Sequence, residues 1–404
     1  MSNNSSDTLN RSLYYHHDLM TIINHIASVS LILPALFVLM SCASVPTYPV
    51  DADIFDENLE TSVDSPEAKY YLEHYLQGRN TDPVLHARID ALYQGQSGRV
   101  PSRDELKTLA DEYSVDFAAI FFAEHIHAQE ENRAIQQAFS DYLRNGDTSA
   151  RLRQADLDKY LFLFVPGWDY VENSHITGAD FAVQRILFTA FGVENHLVII
   201  PPHGSVEESA AVLTRSIEQH GDKGKTIVLV GASSAGPAIY LALAENRQHP
   251  SFDNVKGWLN IGGILQGSPV IDYYQAWPRS WYFNVAVWSQ GWDKDRILSL
   301  STVESRKRME RLAGIDPDIL VINYIGLPLS GAVSQYAADY YSMLAAEGPN
   351  DGLSFLPDMV APDSLTIIAP GRDHFLAEDP MINDKTVAMM KVVIAYLERR
   401  SMLE

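Results

Sequence analysis

Residues 226–246, TIVLVGASSAGPAIYLALAEN, decide which fold we predict for this chain. The apolar run Thr226–Val230 is typical of a buried strand, and the residues from Gly236 onward have the composition of a helix. Small residues between them allow a tight turn, which brings the strand end close to the helix start and holds a serine at a strained backbone angle. The segment therefore predicts a strand, a turn with a serine at its tip, and a helix whose positive dipole end lies beside that serine.

Two adjacent serines are candidates for the tip of this turn. Ser233 lies two residues after Gly231, where the end of the strand would place a nucleophile. Ser234 fits an A-x-S-x-G frame instead and stays open as the alternative. The turn departs from the G-x-S-x-G pattern because Ala235 stands at the position of the second glycine. An ordinary strand-to-helix turn capped by serines is the competing interpretation.

Short apolar runs recur through the rest of the chain from about residue 161 and mostly alternate with helical stretches. Continuous apolar strands that alternate with helices indicate the α/β class, with a mainly parallel sheet covered by helices on both faces. In open sheets of this kind ligands bind at the carboxyl ends of the strands. The predicted strands are 160–165, 197–200, 226–230, 258–261, 319–324 and 365–369.

Two polar side chains after the later predicted strands are candidates for a catalytic base and acid. A serine nucleophile needs a base and an acid that orients the base. His374 follows the last predicted strand, and Asp351 lies in a glycine-flanked loop after the preceding strand and its helix. Asp318 and Asp363 are alternative acids. The chain order Ser, Asp, His, each after a strand, predicts that the three side chains meet at the carboxyl edge of the sheet.

A possible oxyanion site follows strand 160–165, which ends in Pro166-Gly167-Trp168. Glycine lets the main chain approach a substrate closely. We therefore expect the backbone N–H of Trp168 to pair with that of Ser234 and to hold a tetrahedral oxyanion.

We expect no metal and no cofactor. His125 and His127 are two residues apart on a predicted helix and therefore point to different faces. The single cysteine, Cys42, excludes intrachain disulfides and cysteine-based zinc sites. A net charge of −22, from 30 Lys+Arg against 52 Asp+Glu, argues against a nucleic-acid partner, because phosphate binding needs a cationic surface.

From about residue 161 to its end the chain resembles the α/β-hydrolase fold. Three segments are similar to bacterial lipases and esterases: GASSAG at the turn, LNIGGILQGSPVID at 259–272 and NDGLS at 350–354. The resemblance implies hydrolysis of a small-molecule carboxylic ester through an acyl-enzyme, with Ser233 as nucleophile, His374 as base and Asp351 as its orienting acid. Another acyl hydrolase, such as a thioesterase or amidase, and a non-catalytic scaffold are the alternatives, because a fold does not fix a substrate.

The N-terminal region resembles the signal peptide of bacterial lipoproteins. The apolar run Ile26–Met40 is shorter than the roughly 20 residues that a membrane-spanning helix needs, and Ser41-Cys42 follows it as in a lipobox. The resemblance implies that residues 1–41 are removed and that a lipidated Cys42 anchors the protein to a membrane of the bacterial cell envelope. Ala43 fits sorting to the outer membrane. An uncleaved signal anchor and a core helix with an incidental cysteine are the alternatives, and translation that starts at Met20 stays open.

We predict a helical N-terminal region before the hydrolase domain. It begins at Pro66 after the cap Ser65, contains a capping box at Ser102–Glu105, and includes a long helix over about 116–145. An insertion at about 268–317 holds four of the six tryptophans, and we expect it to form a cap whose aromatic residues contact an acyl or aromatic substrate. The predicted segments are a signal peptide (1–41), an acidic tether (42–64), the helical region (65–157) and the hydrolase domain (158–404).

Overall fold

The computed structural model describes residues 47–94, 99–145, 157–221 and 224–402. The main compact unit holds the described residues of 46–273 and 295–404, and a second unit includes Tyr274–Lys294. The predicted signal peptide and Cys42 lie outside the described residues. Within the described ranges, no helix is both long and apolar enough to cross a membrane.

The main unit is built on eight described strands. Two form an antiparallel hairpin near the N-terminus, and six form a parallel sheet in the order β4-β3-β5-β6-β7-β8. The predicted α/β class with a mainly parallel sheet is therefore confirmed. The strands are β1 (Tyr48–Ile54), β2 (Glu57–Val63), β3 (Tyr160–Val165), β4 (Glu194–Leu197), β5 (Thr226–Ala232), β6 (Val255–Ile261), β7 (Leu320–Leu327) and β8 (Leu365–Pro370).

Helices surround these strands, and short 3-10 segments complete several connections. The α-helices of the described residues are α1 (Pro66–Tyr70), α2 (Pro83–Tyr93), α3 (Arg103–Glu112), α4 (Val115–His127), α5 (Glu130–Asn145), α6 (Ser174–Thr177), α7 (Ala182–Ala190), α8 (Val206–Gly221), α9 (Ala235–Glu245), α10 (Pro269–Gln275), α11 (Ser280–Gln290), α12 (Lys294–Leu298), α13 (Thr302–Arg311), α14 (Ala338–Leu344) and α15 (Ile382–Ser401). A π-helical turn, Tyr71–Tyr75, continues α1.

Strand β3 shows why the sheet carries helices on both faces. Every residue of β3 is buried, and successive side chains point to opposite faces of a strand. Leu161 and Leu163 belong to a core shared with α8 and α9. Phe162 and Phe164 belong to a second core shared with α5, α7 and α15. Because both faces are covered, the strands read as continuous apolar runs in the sequence.

The acidic segment before α1 is a structural part of the main unit. Residues Tyr48–Ile54 pair antiparallel with Glu57–Val63, so the prediction of a tether over this segment is wrong. Val50 and Val63 are buried, whereas Asp51 and Asp53 lie on the opposite, exposed face of β1. The acidic residues therefore mark the solvent face of a strand rather than a flexible linker.

The helical N-terminal region shares its core with the parallel sheet. Residues of the hairpin and of α1–α4 pack in one cluster with Ile325 and Leu327 of β7 and Ile368 of β8. The capping box at Ser102–Glu105 is confirmed at the start of α3. The predicted helix over 116–145 is in fact two helices, α4 and α5, which are separated after His127.

The unit Tyr274–Lys294 contains helix α11, which ends at Gly291 with a left-handed φ of 67°. Glycine adopts this conformation without the steric cost that a Cβ brings. Three of the four tryptophans of this segment are exposed: Trp277, Trp281 and Trp288 keep 87%, 65% and 81% of their surface accessible, whereas Trp292 is partly buried. The role of the predicted insertion as a cap stays a prediction.

Candidate active site

The turn between β5 and α9 has the strained geometry that its sequence predicts. Ser233 has a φ of 55°, which lies in the left-handed region that L-residues avoid at a cost of roughly 1–2 kcal/mol. Hydrogen bonds hold the turn in place: the Ser233 N–H donates to the Ile261 carbonyl at 3.0 Å, and the Ser233 carbonyl accepts from Gly236 at 3.0 Å and Ile264 at 3.2 Å. The backbone strain is thus supported by the neighbouring strand β6 and its following loop.

Two glycines permit the close packing of this turn. A Cβ on Gly231 would collide with the side chain of Ile239, and one on Gly236 would lie 2.9 Å from the Cα of Gly263. Ala235 is accommodated, although its Cβ would lie only 3.1 Å from a Cβ at position 231. The departure from the G-x-S-x-G pattern is therefore tolerated, because the glycine needed for close approach stands at Gly236.

The structure brings Ser233, His374 and Asp351 together in one hydrogen-bonded series. The His374 Nε2 atom lies 2.9 Å from the Ser233 Oγ, and the His374 Nδ1 atom lies 2.6 Å from an Asp351 carboxylate oxygen. The second Asp351 oxygen accepts the backbone N–H groups of Leu353 at 2.9 Å and Ser354 at 2.8 Å. A carboxylate fixed in this way favours the tautomer with a proton on Nδ1, which leaves Nε2 to accept the proton of the serine hydroxyl.

The alternative candidates do not share this geometry. Ser234 has a right-handed backbone, with φ −61° and ψ −16°, and forms the N-cap of α9. Within the described residues, the side-chain hydrogen bonds of His374 go to Ser233 and Asp351 and not to Ser234, Asp318 or Asp363.

The histidine and the acid are both removed from solvent. The side chain of His374 is 7% exposed and that of Asp351 is 2% exposed. Burial lowers the pKa of His374, but the charge of Asp351, its hydrogen bond and the charge of Asp373 together outweigh burial and raise the pKa above 6.5. The site therefore stabilises the imidazolium form that results when the histidine takes a proton.

The loop after β3 lies against this turn. A Cβ on Gly167 would be 3.7 Å from the Cβ of Ser233, and the Gly167 N–H donates to the Ala179 carbonyl at 3.1 Å. The N–H of Gly167 is thus engaged within the loop. Trp168 and Ser234, the two predicted oxyanion donors, line the same narrow cleft. Other residues that line the cleft are Ile200, Pro201, Gly204, Ser205, Val206, Ser209 and Leu300.

A buried aspartate beside the histidine connects two loops of the site. Asp373 accepts the N–H of Phe375 at 2.8 Å through one carboxylate oxygen and that of Ser334 at 2.6 Å through the other. Asp373 is 4% exposed. It therefore joins the loop that carries His374 to the connection between β7 and α14. Asp373 directly precedes His374 in the sequence, but the sequence alone does not reveal its contact with Ser334.

Asp116, a buried carboxylate of the N-terminal region, also contacts the connection between β7 and α14. Asp116 of α4 accepts the N–H of Ser330 at 2.9 Å and the hydroxyl of Tyr341 at 3.2 Å. Asn350, the neighbour of Asp351, donates its side-chain amide to the Tyr341 carbonyl at 3.3 Å. The helical N-terminal region is thus linked through α14 to the loop that bears the acid. Sequence reasoning missed this link entirely.

The environment of Asp116 favours its protonated form. Burial raises the pKa of Asp116 to about 7, and the nearby charge of Asp64 adds to this effect, while hydrogen bonds from Ser330 and Asp64 oppose it. The side chain has no exposed surface. Asp116 is therefore a carboxyl group whose charge state changes near neutral pH.

Three side chains beside the cleft have the chemistry of a cation site. Ligand atoms of Asp169, Glu172 and His203 lie within 4.8 Å of one another. The His203 Nε2 atom is 3.4 Å from an Asp169 oxygen and 3.6 Å from a Glu172 oxygen. The His203 imidazole thus contacts both carboxylates directly, and we assign no metal to these three side chains.

Comparisons with known proteins concern the fold. No family model and no curated protein matches the sequence. A solved metagenomic carboxyl esterase is 14% identical, with a TM-score of 0.47 over 59% of this chain and 76% of that chain. The mature lipase BlEst2 of Bacillus licheniformis is 17% identical, with a TM-score of 0.44 over 58% of this chain and 91% of that chain. Phospholipase PlaB of Legionella pneumophila is 11% identical, with a TM-score of 0.37 over 50% of this chain and 45% of that chain.

The α/β-hydrolase fold is assigned from the molecule itself. The parallel sheet has the order β4-β3-β5-β6-β7-β8, and a turn with a left-handed serine joins β5 to α9. The acid and the histidine then follow β7 and β8 in turn. This succession along the chain is that of the fold.

Proposed function

We propose that the protein is a serine hydrolase that cleaves carboxylic esters through an acyl-enzyme. The observation that carries the proposal is the hydrogen-bonded series from Asp351 through His374 to Ser233, with Nε2 and Oγ 2.9 Å apart. This distance lies within the range in which a base can take a proton directly. The left-handed backbone of Ser233 adds support, because strain of this kind persists mainly at functional sites.

In the first half of the proposed reaction, the Ser233 Oγ attacks the ester carbonyl carbon while its proton moves to the His374 Nε2. The carbonyl π electrons pass to the oxygen, and the N–H groups of Trp168 and Ser234 would hold the resulting oxyanion. The intermediate then collapses to an acyl-Ser233 ester. The alcohol oxygen leaves and takes the proton from His374, so that the histidine is neutral again.

In the second half a water molecule replaces the alcohol. The water oxygen attacks the acyl carbon while His374 takes a proton from the water. The tetrahedral intermediate then expels the Ser233 Oγ. The histidine returns its proton to the serine, and the carboxylic acid is released. Asp351 stays ionised throughout and holds the imidazole in the orientation that both proton transfers need.

The cleft beside Ser234 offers apolar surface to an acyl group. Side chains of Ile200, Val206 and Leu300 line it and suit a hydrocarbon chain.

A panel of p-nitrophenyl esters of increasing acyl length tests the proposal. We expect hydrolysis by the wild type and loss of activity in Ser233→Ala. The matched variant Ser234→Ala should keep most of the activity, because it keeps the backbone N–H at position 234. A folded wild-type protein that hydrolyses no member of the panel would favour a scaffold without this activity.

We also propose that a lipid on Cys42 attaches the protein to a membrane of the cell envelope. The proposal rests on the apolar run Ile26–Met40 and on the position of Cys42 directly after it. Acyl chains on one residue supply membrane affinity that a protein of net charge −22 lacks at an anionic surface. The variant Cys42→Ser should leave the membrane fraction, whereas unchanged fractionation would indicate an uncleaved apolar segment as the anchor.

A further inference from the structure

Helix α11 presents a row of exposed apolar side chains along one face. Trp281, Val285 and Trp288 stand at positions i, i+4 and i+7, which lie on one side of a helix. They keep 65%, 47% and 81% of their surface exposed, and Trp277 just before the helix keeps 87%. A single exposed apolar residue is ordinary, but a contiguous row of large ones marks a surface that binds something.

The apolar side chains of α11 differ in exposure around the helix. Val287 is 5% exposed, and Phe283, one turn earlier on the same side, is partly buried. By contrast, the row Trp281, Val285 and Trp288 is exposed along its whole length. The row is therefore the apolar surface of α11 that a binding partner would bury.

The charge of this segment differs from that of the rest of the chain. Helix α11 contains no charged residue, and Tyr274–Lys294 carries two cations, Arg279 and Lys294, against one anion, Asp293. The segment thus has a net charge of +1 in a chain of net charge −22. A negatively charged surface that repels most of the protein does not repel this part of it.

The chemistry of the row distinguishes a lipid surface from a protein partner. Tryptophan combines a large apolar ring with one N–H donor, and it concentrates where hydrocarbon meets the polar head groups of a bilayer. A protein interface usually surrounds such anchors with polar and charged residues that fix its register, and α11 offers no charge for this purpose. The helix has 11 residues, too few to span a bilayer but enough to lie along its surface.

We propose that helix α11 docks on the surface of a phospholipid membrane, with Trp281, Val285 and Trp288 inserted at the level of the head groups. Trp277 extends the inserted row beyond the N-terminus of the helix. The docking is a property of the segment itself and does not depend on ester hydrolysis. It orients the protein body on the membrane, and as a reversible contact of one short helix it does not by itself retain Cys42→Ser in the membrane fraction.

Fluorescence quenching by brominated lipid tests this proposal on the full chain. The probe is a set of vesicles of phosphatidylglycerol with phosphatidylcholine, whose acyl chains are either brominated or plain. Bromine in the acyl region quenches only tryptophans that enter the bilayer surface. We expect quenching of the wild type, and loss of the quenchable emission in a variant with Trp277→Ser, Trp281→Ser and Trp288→Ser. Trp258, which is 1% exposed, supplies an unquenched internal reference.

The matched control is Ile186→Ser, which removes an apolar side chain that is 68% exposed on α7 of the main unit. This control should be quenched like the wild type, and circular dichroism should show all variants folded. A wild type that sediments with the vesicles while its tryptophans stay unquenched would overturn the proposal, because another segment then makes the contact. Dimerisation in the absence of lipid that the triple variant abolishes would also overturn it, since the occupant would be a second copy of the chain.

Discussion

Replacing Ser233 by glycine should leave the protein more stable than replacing it by alanine, although both changes remove the hydroxyl. Ser233 has a φ of 55°, where a Cβ is strained and glycine is not. Both variants lose the 2.9 Å hydrogen bond to His374, so that loss cancels in the comparison. The difference between them reports the backbone strain of the turn, less the cost of the greater freedom of glycine in the unfolded chain.

The expected difference follows from two opposing free energies. Relief of the left-handed strain favours glycine by roughly 1–2 kcal/mol. The greater freedom of glycine in the unfolded chain opposes this by roughly 0.5–1 kcal/mol. The free energy of unfolding should therefore be about 0–1.5 kcal/mol higher for Ser233→Gly than for Ser233→Ala, with a midpoint of about 0.75 kcal/mol. Urea unfolding followed by circular dichroism, at equal m-values, measures this difference.

The neighbouring serine provides a control without backbone strain. Ser234 has a right-handed φ of −61°, so glycine relieves no strain there, and its entropic disadvantage is offset by its advantage over alanine at an N-cap. We expect Ser234→Gly and Ser234→Ala to differ by less than about 0.5 kcal/mol. If glycine were less stable than alanine at position 233, that residue would not carry the strain on which the proposed site depends.

Three further predictions concern the charges of the site and its supports. Because the pKa of His374 is raised above 6.5, kcat/KM for a p-nitrophenyl ester should fall about tenfold per pH unit below that pKa; a flat profile down to pH 5 would exclude this base. Asp351→Asn should lower kcat by about 10⁴-fold with little change in unfolding free energy, and retention of the full rate would assign another acid. The pKa of Asp116 is raised to about 7. Between about pH 4 and 7 the folded protein therefore keeps a proton on Asp116 that the unfolded chain has lost, so the contribution of Asp116 to the free energy of unfolding should fall as pH rises. Asp116→Asn should make this slope shallower by up to about 1.4 kcal/mol per pH unit in urea unfolding, and an unchanged slope would contradict the shift.

Features that depend on neighbouring residues in the sequence could be predicted from the sequence alone. The turn at Ser233 is set by small residues within one strand–turn–helix segment. Asp351 and His374 were found because each follows a predicted strand, and parallel strands end at one edge. The capping box of α3 could also be predicted, because Ser102 and Glu105 are three residues apart in the sequence.

The hairpin and α2 were missed although their sequences carry signals. Val50, Ala52 and Ile54 alternate with acids, which is the period of a half-buried strand. A two-stranded hairpin has little stability alone and here depends on packing with β7 and β8, far along the chain. Asp82 before Pro83 is a regular helix start, and the Asp82 side chain accepts the Val84 N–H at 3.0 Å.

The supports of the site depend on long-range contacts that no local pattern encodes. Asp116 and Ser330 are separated by 214 positions, and Asp373 and Ser334 by 39. A buried aspartate in a helix reads as an ordinary surface residue until its partners are known. The role of the N-terminal region therefore became visible only when its helices were seen against the sheet.

Covalent labelling with a fluorophosphonate tests the central claim most directly. The probe phosphonylates a serine only when a neighbouring base activates it, so peptide mapping identifies the nucleophile by residue number. The account predicts one adduct on Ser233 in the wild type, none in Ser233→Ala, and an adduct again in Ser234→Ala. An adduct on Ser234, or a folded protein that takes up no probe, would contradict it.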